Sequence, residues 1–432
     1  MDFNVKRVIL TSMIHIPEAH ISRYILAILL GVLILQLGNG LFTTLLGLRM
    51  SLDGFSDSTI GFITAAFYSG MAAGTLYCKP IIERIGHIRT FSAFASLLSA
   101  AAILHVFYVN PVAWGILRMM SGFCMAALFM VAESWLSSAS NNANRGKVLS
   151  AYLITTYVAM GSGQFLLKIS DPSHFVLFGL VSVIISLSLV PIALTRAPAP
   201  TLPETTPFSV QQLLKISPLG LLGSLCSGMV LGAFWGLTPT FAKQVGINID
   251  DIGALMAAVV YGSLLFQWPV GILADRTDRR NVLVLLCIVG TLSGSALMAS
   301  TDANILYLSL FGALFGAATG PIYSVSVAYA NDYTDNTDYV AVTSGLLLAY
   351  GVGAIIGPLF ASAIMELTGP QNLFLYMAMV HVGLALYTVY RKTQREVSTD
   401  DHSGSVTPLP RTSAIATNMV PLEDTDPIQP ES

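Results

Sequence analysis

Two charged residues stand inside one apolar run. The stretch "LRMMSGFCMAALFMVAESWL" (117–136) carries Arg118 and Glu133 and is otherwise almost wholly apolar. If Pro111 opens a helix, a rise of about 1.5 Å per residue places Arg118 about 10 Å below that end and Glu133 about 22 Å further along. The two charges therefore cannot pair and need separate explanations. A guanidinium at membrane depth costs about 2.5–3.5 kcal/mol on insertion scales and usually marks a functional pathway. The alternative is that Arg118 snorkels outward and only anchors its helix. Gly122 and Ala126 follow Arg118 at four-residue spacing, a stripe of small residues that lets a neighbouring helix come close. Glu133 opens "ESWLSSASNNANRGK" (133–147), which leaves the apolar run for a polar turn. There it can either pair with Arg84 or Arg89 as part of an inner gate, or serve as a protonatable carboxylate that loads and releases H⁺.

These residues need elements to hold them, and composition fixes the solvent of those elements. Of 432 residues, 54% are hydrophobic and 10% charged, against roughly 25% charged in a soluble domain. A bilayer core about 30 Å thick needs around 20 apolar residues per helix. Twelve such segments are expected, over 24–48, 58–80, 88–108, 111–137, 147–168, 173–195, 216–241, 250–273, 280–300, 303–331, 338–365 and 371–391. With the N-terminus inside, seventeen of the twenty-one Lys and Arg residues fall on the cytoplasmic side, Arg49, Lys168 and Lys243 fall outside, and Arg118 is embedded. That asymmetry satisfies the positive-inside rule and puts both termini in the cytoplasm. The expected organisation is a cytoplasmic N-terminal segment (1–23), an N-terminal six-helix bundle (24–195), a cytoplasmic linker (196–215), a C-terminal six-helix bundle (216–391) and a disordered cytoplasmic tail (392–432). The net charge of −3 argues against a nucleic-acid partner. The four cysteines sit in or at the ends of spans without paired spacing, and neither disulfide, metal nor cofactor is expected.

The chain also repeats itself. Shifting the first half by 192 positions lays Gly40 on Gly232, Ile60-Gly61 on Ile252-Gly253 and Gly70 on Gly262. Further on, Ala126-Ala127 falls near Ala317-Ala318, while Ser150 and Gly163 fall near Ser344 and Gly357. Two related half-bundles meeting at mid-membrane can rock about a site between them and open it to one side and then the other.

The turn "GILADRTDRRNVL" (271–283) resembles the signature of the major facilitator superfamily, matching at Gly271, Asp275, Arg276, Arg279 and Arg280, with Asp278 where that family usually has glycine. The first half's copy, "KPIIERIGHIRTF" (79–91), keeps Arg84 and Gly86 but has Lys79 and Glu83 in place of glycine and aspartate. Glu-Ser-Trp-Leu followed by Arg-Gly is similar to a branch of bacterial carriers, the YcaD-like group. The resemblance covers nearly all of residues 20–395 and implies an all-α membrane fold of twelve helices in two pseudo-twofold-related bundles.

Carboxylates facing arginines at such turns can hold one conformation and break in another. Glu83, Arg84, Arg89, Asp275, Arg276 and Arg279 are thus candidate cytoplasmic gate residues, the other reading being topology alone. The Arg118 stripe resembles the family's fourth-helix motif, whose arginine is associated with proton coupling, so Arg118 and Glu133 are the candidate proton-coupling pair. Gln36, Asn39 and Thr43 share one helical face and, with Tyr152, Thr156, Trp235 and Tyr323, form the candidate substrate cavity. For each the alternative is ordinary polar contact between helices. The fifth helix has Gln164 where antiporters of this family often have proline, and "GAIIGP" (353–358) carries the Gly-x-x-x-Gly-Pro run instead.

The resulting expectation is a secondary active transporter of the cytoplasmic membrane, monomeric, embedded in lipid, proton-coupled, with efflux favoured over uptake. Its small-molecule substrate is expected to be apolar or weakly polar, since few basic residues face the cavity. A transporter-like sensor acting through a partner is the alternative. An intramembrane enzyme is disfavoured because the seven histidines are scattered.

Overall fold

In the computed structural model, residues 18–141, 144–195, 200, 210–299, 304–334, 339–394 and 406–419 are described, and among them there is no strand. The helices are α1 (Glu18–Leu52), α2 (Asp57–Ile85), α3 (His87–Phe107), α4 (Pro111–Ser138), α5 (Arg145–Phe165), α6 (Val176–Leu187) and α7 (Leu189–Ala193) in the first set. After a short helix α8 (Val210–Ile216) come α9 (Pro218–Gln244), α10 (Ile249–Arg276), α11 (Arg279–Met298), α12 (Ile305–Asn331), α13 (Tyr339–Thr368) and α14 (Asn372–Gln394). Among the described residues eleven spans are long and apolar enough to cross a bilayer, with α6 and α7 counted as one. The twelfth expected span, α5, has 21 residues but carries Thr155, Thr156, Ser162 and Gln164, and it lies against α1 and α10. Leu26, Phe62, Phe107, Trp268, Leu306 and Leu367 are among the large apolar side chains left exposed, as a surface solvated by lipid tails requires.

Helix starts follow local chemistry. Pro111 is the first residue of α4, and the Asn110 side chain accepts from the Val112 and Ala113 amides, filling two of the unpaired N–H groups of the first turn. Asp278, where the resembled family usually has glycine, caps α11 by accepting from the Arg280 amide at 2.9 Å and pairs with its guanidinium, Nη2 to Oδ2, at 2.9 Å. Gly86, retained in the first-half copy, sits between α2 and α3 at φ +86, a backbone conformation that glycine adopts without strain.

The internal repeat recurs as the same contacts made twice. A Cβ at Gly40 would collide with the Met160 carbonyl, and one at Gly163 with the Leu37 carbonyl, where α1 crosses α5. The corresponding α9–α13 crossing places Gly232 on the Ala354 carbonyl and Gly357 on the Met229 carbonyl. Gly70 and Gly122 lock α2 to α4 in the same way, and Gly262 and Gly316 lock α10 to α12. The run 353–358 is thus a close-packing surface, with Gly353 against the Leu225 carbonyl. One register is corrected. Gly122 and Gly316 occupy equivalent places, 194 positions apart, so Ala126 corresponds to Gly320 and not to Ala317. Adjacent alanines recur too often in such helices to fix a register, whereas a glycine under a carbonyl does.

The two sets of helices meet at the end away from α8. There the Gln244 amide donates to Asp57 at 2.7 Å, the Ser58 amide to Glu366 at 2.9 Å, and the Thr240 hydroxyl to the Gly47 carbonyl at 3.0 Å. Gly61 packs on Ser362, and Gly236 on Thr64. The opposite end, which carries α8, is referred to below as the linker end.

Residues 1–17, and most of the stretch expected as a linker (196–199 and 201–209), lie outside the described residues, although that linker finishes as helix α8. The tail expected to be disordered over 392–432 is corrected in part: α14 continues to Gln394, and residues 406–413 followed by a 3₁₀ turn over Ala414–Met419 lie ordered inside the bundle. Its composition is too polar for a core of its own, but Val406, Leu409, Ile415, Ala416 and Met419 are buried in the core the helices supply.

Because these crossings leave no room for a side chain, Gly316→Leu should lower the melting temperature of the solubilised protein by several degrees or abolish its folded yield, overpacking typically costing about 1–3 kcal/mol. Gly115→Ala, where an added Cβ meets nothing within 4 Å, should leave the melting temperature unchanged in the same fluorescence assay.

Candidate functional site

A cavity of about 490 Å³ lies between the two sets of helices. Gln36, Asn39, Thr43, Thr156 and Trp235, all expected there, line it. Asn39 donates to the Gln36 side chain at 3.4 Å and Thr43 to its own helix at the Asn39 carbonyl, 2.9 Å, while the buried Thr156 hydroxyl has no hydrogen-bond partner among the described residues. Tyr152 and Tyr323 are not lining residues: both are buried behind the wall, Tyr152 against Glu133 and Tyr323 edge-on to Tyr350 with ring centroids 5.5 Å apart. Aromatic residues on a polar face are as useful for packing as for lining, and their spacing alone does not separate the two. The walls also hold Met71, Met125, Met130 and Met160, flexible and polarisable surfaces that adapt to varied shapes.

Arg118 is on the cavity wall and not at the lipid surface, with only 6% of its area exposed. Its guanidinium lies 4.0 Å from the centre of the Phe67 ring and 5.7 Å from that of Phe42, so aromatic faces supply part of the solvation that water would give. Its Nη1 has no hydrogen-bond acceptor among the described residues. The Gly122–Gly70 crossing beneath it brings Phe67 of α2 to this position.

Glu133 is fully buried. Its carboxylate accepts from the Tyr152 hydroxyl at 2.8 Å and from the hydroxyls of Thr412 and Ser413 in the tail segment. The expected pairing with Arg84 or Arg89 is not made: both arginines are exposed, at or beside the turn between α2 and α3, whereas Glu133 points inward toward α5 and the tail. Thr412 and Ser413 line the cavity and separate Glu133 from it. Gln164, which stands where a proline was expected, ties α5 to α1: it accepts from Thr44 at 2.5 Å and donates to the Gly40 carbonyl at 3.0 Å.

The gate candidates divide into two groups. Lys79 and Glu83 lie 4.0 Å apart within α2, and Glu83, Arg84, Arg89 and Arg276 are exposed. Arg279 is buried at the start of α11, 3.5 Å from Asp275, donating to the Ala328 carbonyl at 2.7 Å and paired with Asp332. It therefore fastens α10, α11 and α12 together, and among the described residues the ion pairs of the gate candidates all stay within one set of helices. Asp332 was missed by sequence reading, although an acid directly after an apolar span, at the end where arginines cluster, was a usable signal. Burial pushes its pKa up to about 6, opposed by the neighbouring Arg279.

The family model of the Major Facilitator Superfamily matches residues 28–245 and 220–420. The MFS-type transporter YcaD of Salmonella arizonae is 31% identical over 362 residues, covering 83% of this chain and 93% of that protein. YcaD of Escherichia fergusonii is 29% identical over the same length and coverage. Among solved structures, the nucleoside transporter NupG aligns with a TM-score of 0.68 at 14% identity, covering 85% of this chain and 98% of the other. The D-xylose–proton symporter aligns at 0.64 and 15%, covering 85% and 97%. A bacterial homologue of the lysosomal transporter Spinster, inward-facing and occupied, aligns at 0.67 and 14%, covering 85% and 95%.

The raised pKa of Asp332 fixes the sign of its pH effect. The folded chain holds this proton up to about pH 6, whereas an unfolded chain releases it near pH 4, so the contribution of this group to stability falls as pH rises across that window. Asp332→Asn should remove that part of the slope in thermal-unfolding curves taken from pH 4 to pH 7; an unchanged slope would contradict the assignment.

Proposed function

This chain belongs to the major facilitator superfamily, in its YcaD branch, and from that premise we propose a proton-coupled carrier working by alternating access between its two bundles. It is a secondary transporter of a small molecule and not an enzyme. The finer reading assigns the linker end to the cytoplasm, from the Lys and Arg asymmetry, and the protein to the inner membrane as a monomer with both termini inside. With the far end closed in this conformation by the contacts of Asp57, Ser58 and Thr240, we read the cavity as opening toward the cytoplasm.

The observation that carries proton coupling is that Glu133 is buried against hydroxyls, that of Tyr152 within its own bundle and those of Thr412 and Ser413 in the tail segment, and that among the described residues no cation forms an ion pair with it. A hydroxyl can donate to a carboxylate or turn and accept from a carboxylic acid, so this cage accommodates both protonation states. An arginine in contact would favour only the charged one. Arg118 supplies a fixed positive charge on the cavity wall, its Nη1 without an acceptor among the described residues. In this reading residues 24–195 and 216–391 are the two bundles that rock against each other. Methionine and aromatic walls favour an amphipathic substrate, and efflux is favoured because such a molecule enters from the cytoplasm or the adjoining leaflet.

Purified protein in vesicles, assayed with a labelled compound panel with and without a pH gradient, tests this reading. Arg118→Lys should remain folded and membrane-embedded but lose most transport, and Glu133→Gln should transport without response to the gradient. Full gradient-driven activity in Arg118→Ala or Glu133→Gln would overturn it.

A further inference from the structure

The cavity already has an occupant. The tail segment Val406–Met419 enters at the linker end, where the Val406 amide donates to Asp275 at 2.6 Å, and passes α12, where the Leu409 amide donates to the Ser324 hydroxyl at 3.3 Å. Arg411 then reaches Tyr157 of α5, donating at 2.8 Å, with its guanidinium 5.8 Å from the centre of the Tyr350 ring of α13. Tyr157 lies twelve residues into α5, so the arginine sits about 18 Å from the linker end of that helix. Thr412 and Ser413 bind Glu133 of α4, and the following 3₁₀ turn packs against α4, α5 and α13. Asp275, Ser324 and Tyr350 belong to one bundle and Glu133 and Tyr157 to the other, so a single segment bridges both.

We propose that Val406–Met419 is a tethered plug of the transport cavity, and that Arg411, Thr412 and Ser413 occupy the subsite of a substrate pairing a planar cationic head with hydroxyl donors. The substrate class rests on the carrier reading above; the plug does not. A chain lying between both bundles prevents the linker end from closing, because the volume that closure would remove is filled. It also engages Asp275, a gate carboxylate, through a backbone amide. The chemistry it meets is specific: tyrosine hydroxyl and ring face for the guanidinium, carboxylate for the two hydroxyls. An amphipathic organic cation would satisfy the same groups and the methionine-rich wall beside them. The tether makes the plug an efficient competitor, since eleven residues separate Gln394 from Val406 and a short tether gives an effective concentration of about millimolar.

The test uses the full chain with its four native cysteines replaced by serine and Asn39→Cys as reporter on the cavity wall. The rate of modification by a sulfonated maleimide is measured in detergent, with no substrate needed. Combining Arg411→Ala, Thr412→Ala and Ser413→Ala in this chain should raise the rate at least about tenfold, the shift expected if the bound tail is disfavoured by about 1.4 kcal/mol or more. A synthetic peptide of sequence 406–419 at about millimolar concentration, matching the tethered value, should slow it again. Leu409→Asp, which attacks a different contact, should act like the triple variant. Equal rates in parent, triple and Leu409→Asp chains would overturn the plug. The same peptide with Arg411→Gln should fail to protect, and protection equal to that of the native peptide would overturn the cationic subsite. Tail protection in the parent chain, with no transport in vesicles even by the Leu409→Asp chain, whose plug is released, would leave the plug standing and refute the transport reading alone.

Discussion

Lipid gives helices little reason to associate except fit, and in this chain the fit is made by glycines lying under a neighbour's carbonyl. Gly40 and Gly163 hold α1 to α5, Gly70 and Gly122 hold α2 to α4, and their counterparts Gly232, Gly357, Gly262 and Gly316 repeat both crossings in the second bundle. With no side chain intervening, backbones approach closely enough for dispersion and weak C–H···O contacts to substitute for the absent hydrophobic drive. Each bundle is thereby stiff within itself. The contacts between bundles add something different: besides small-residue packing, as of Gly61 on Ser362, Gly236 on Thr64 and Gly253 on the Gln164 carbonyl, they include hydrogen bonds at helix ends, such as Gln244 with Asp57 and Ser58 with Glu366, which can exchange for water. Stiff halves with an exchangeable seam are what rigid-body motion requires.

The polar residues follow from this division. A side chain such as Gln36 or Thr156 cannot face lipid without cost, and the glycine-locked faces have no space for it, so it points to the seam. Arg118 and Glu133 are the extreme cases, solved differently. The arginine is held by aromatic faces and the glutamate by three hydroxyls. Among the described residues neither has an opposite charge in contact, whereas Arg279, clamped between Asp275 and Asp332, is committed to structure.

Much of this was legible in sequence because membrane folds write their constraints in long runs. The twelve spans, the duplication through Gly40/Gly232 and Gly70/Gly262, and the cavity face of Gln36, Asn39 and Thr43 all rest on periodicity and length, which a bilayer enforces. The environment of Glu133 was not legible. Its partners come from Tyr152, nineteen residues on, and from Thr412 and Ser413, far along a tail whose composition pointed to disorder. A polar segment that borrows a core from another part of the fold leaves no hydrophobic pattern of its own. The slip from Ala317 to Gly320 as the counterpart of Ala126 has a related cause, since register in a helix bundle is fixed by which small residue meets a backbone and not by local identity.

The account stands on the two bundles moving as rigid bodies about the cavity. Pulsed electron–electron double resonance on two label pairs tests this most directly: residues 89 and 276 across the linker end, and residues 58 and 366 across the far end. The prediction is that conditions shortening the first distance lengthen the second, each switching between two discrete values. Distances that stay fixed at both ends under every pH and ligand condition, or that lengthen together, would contradict it.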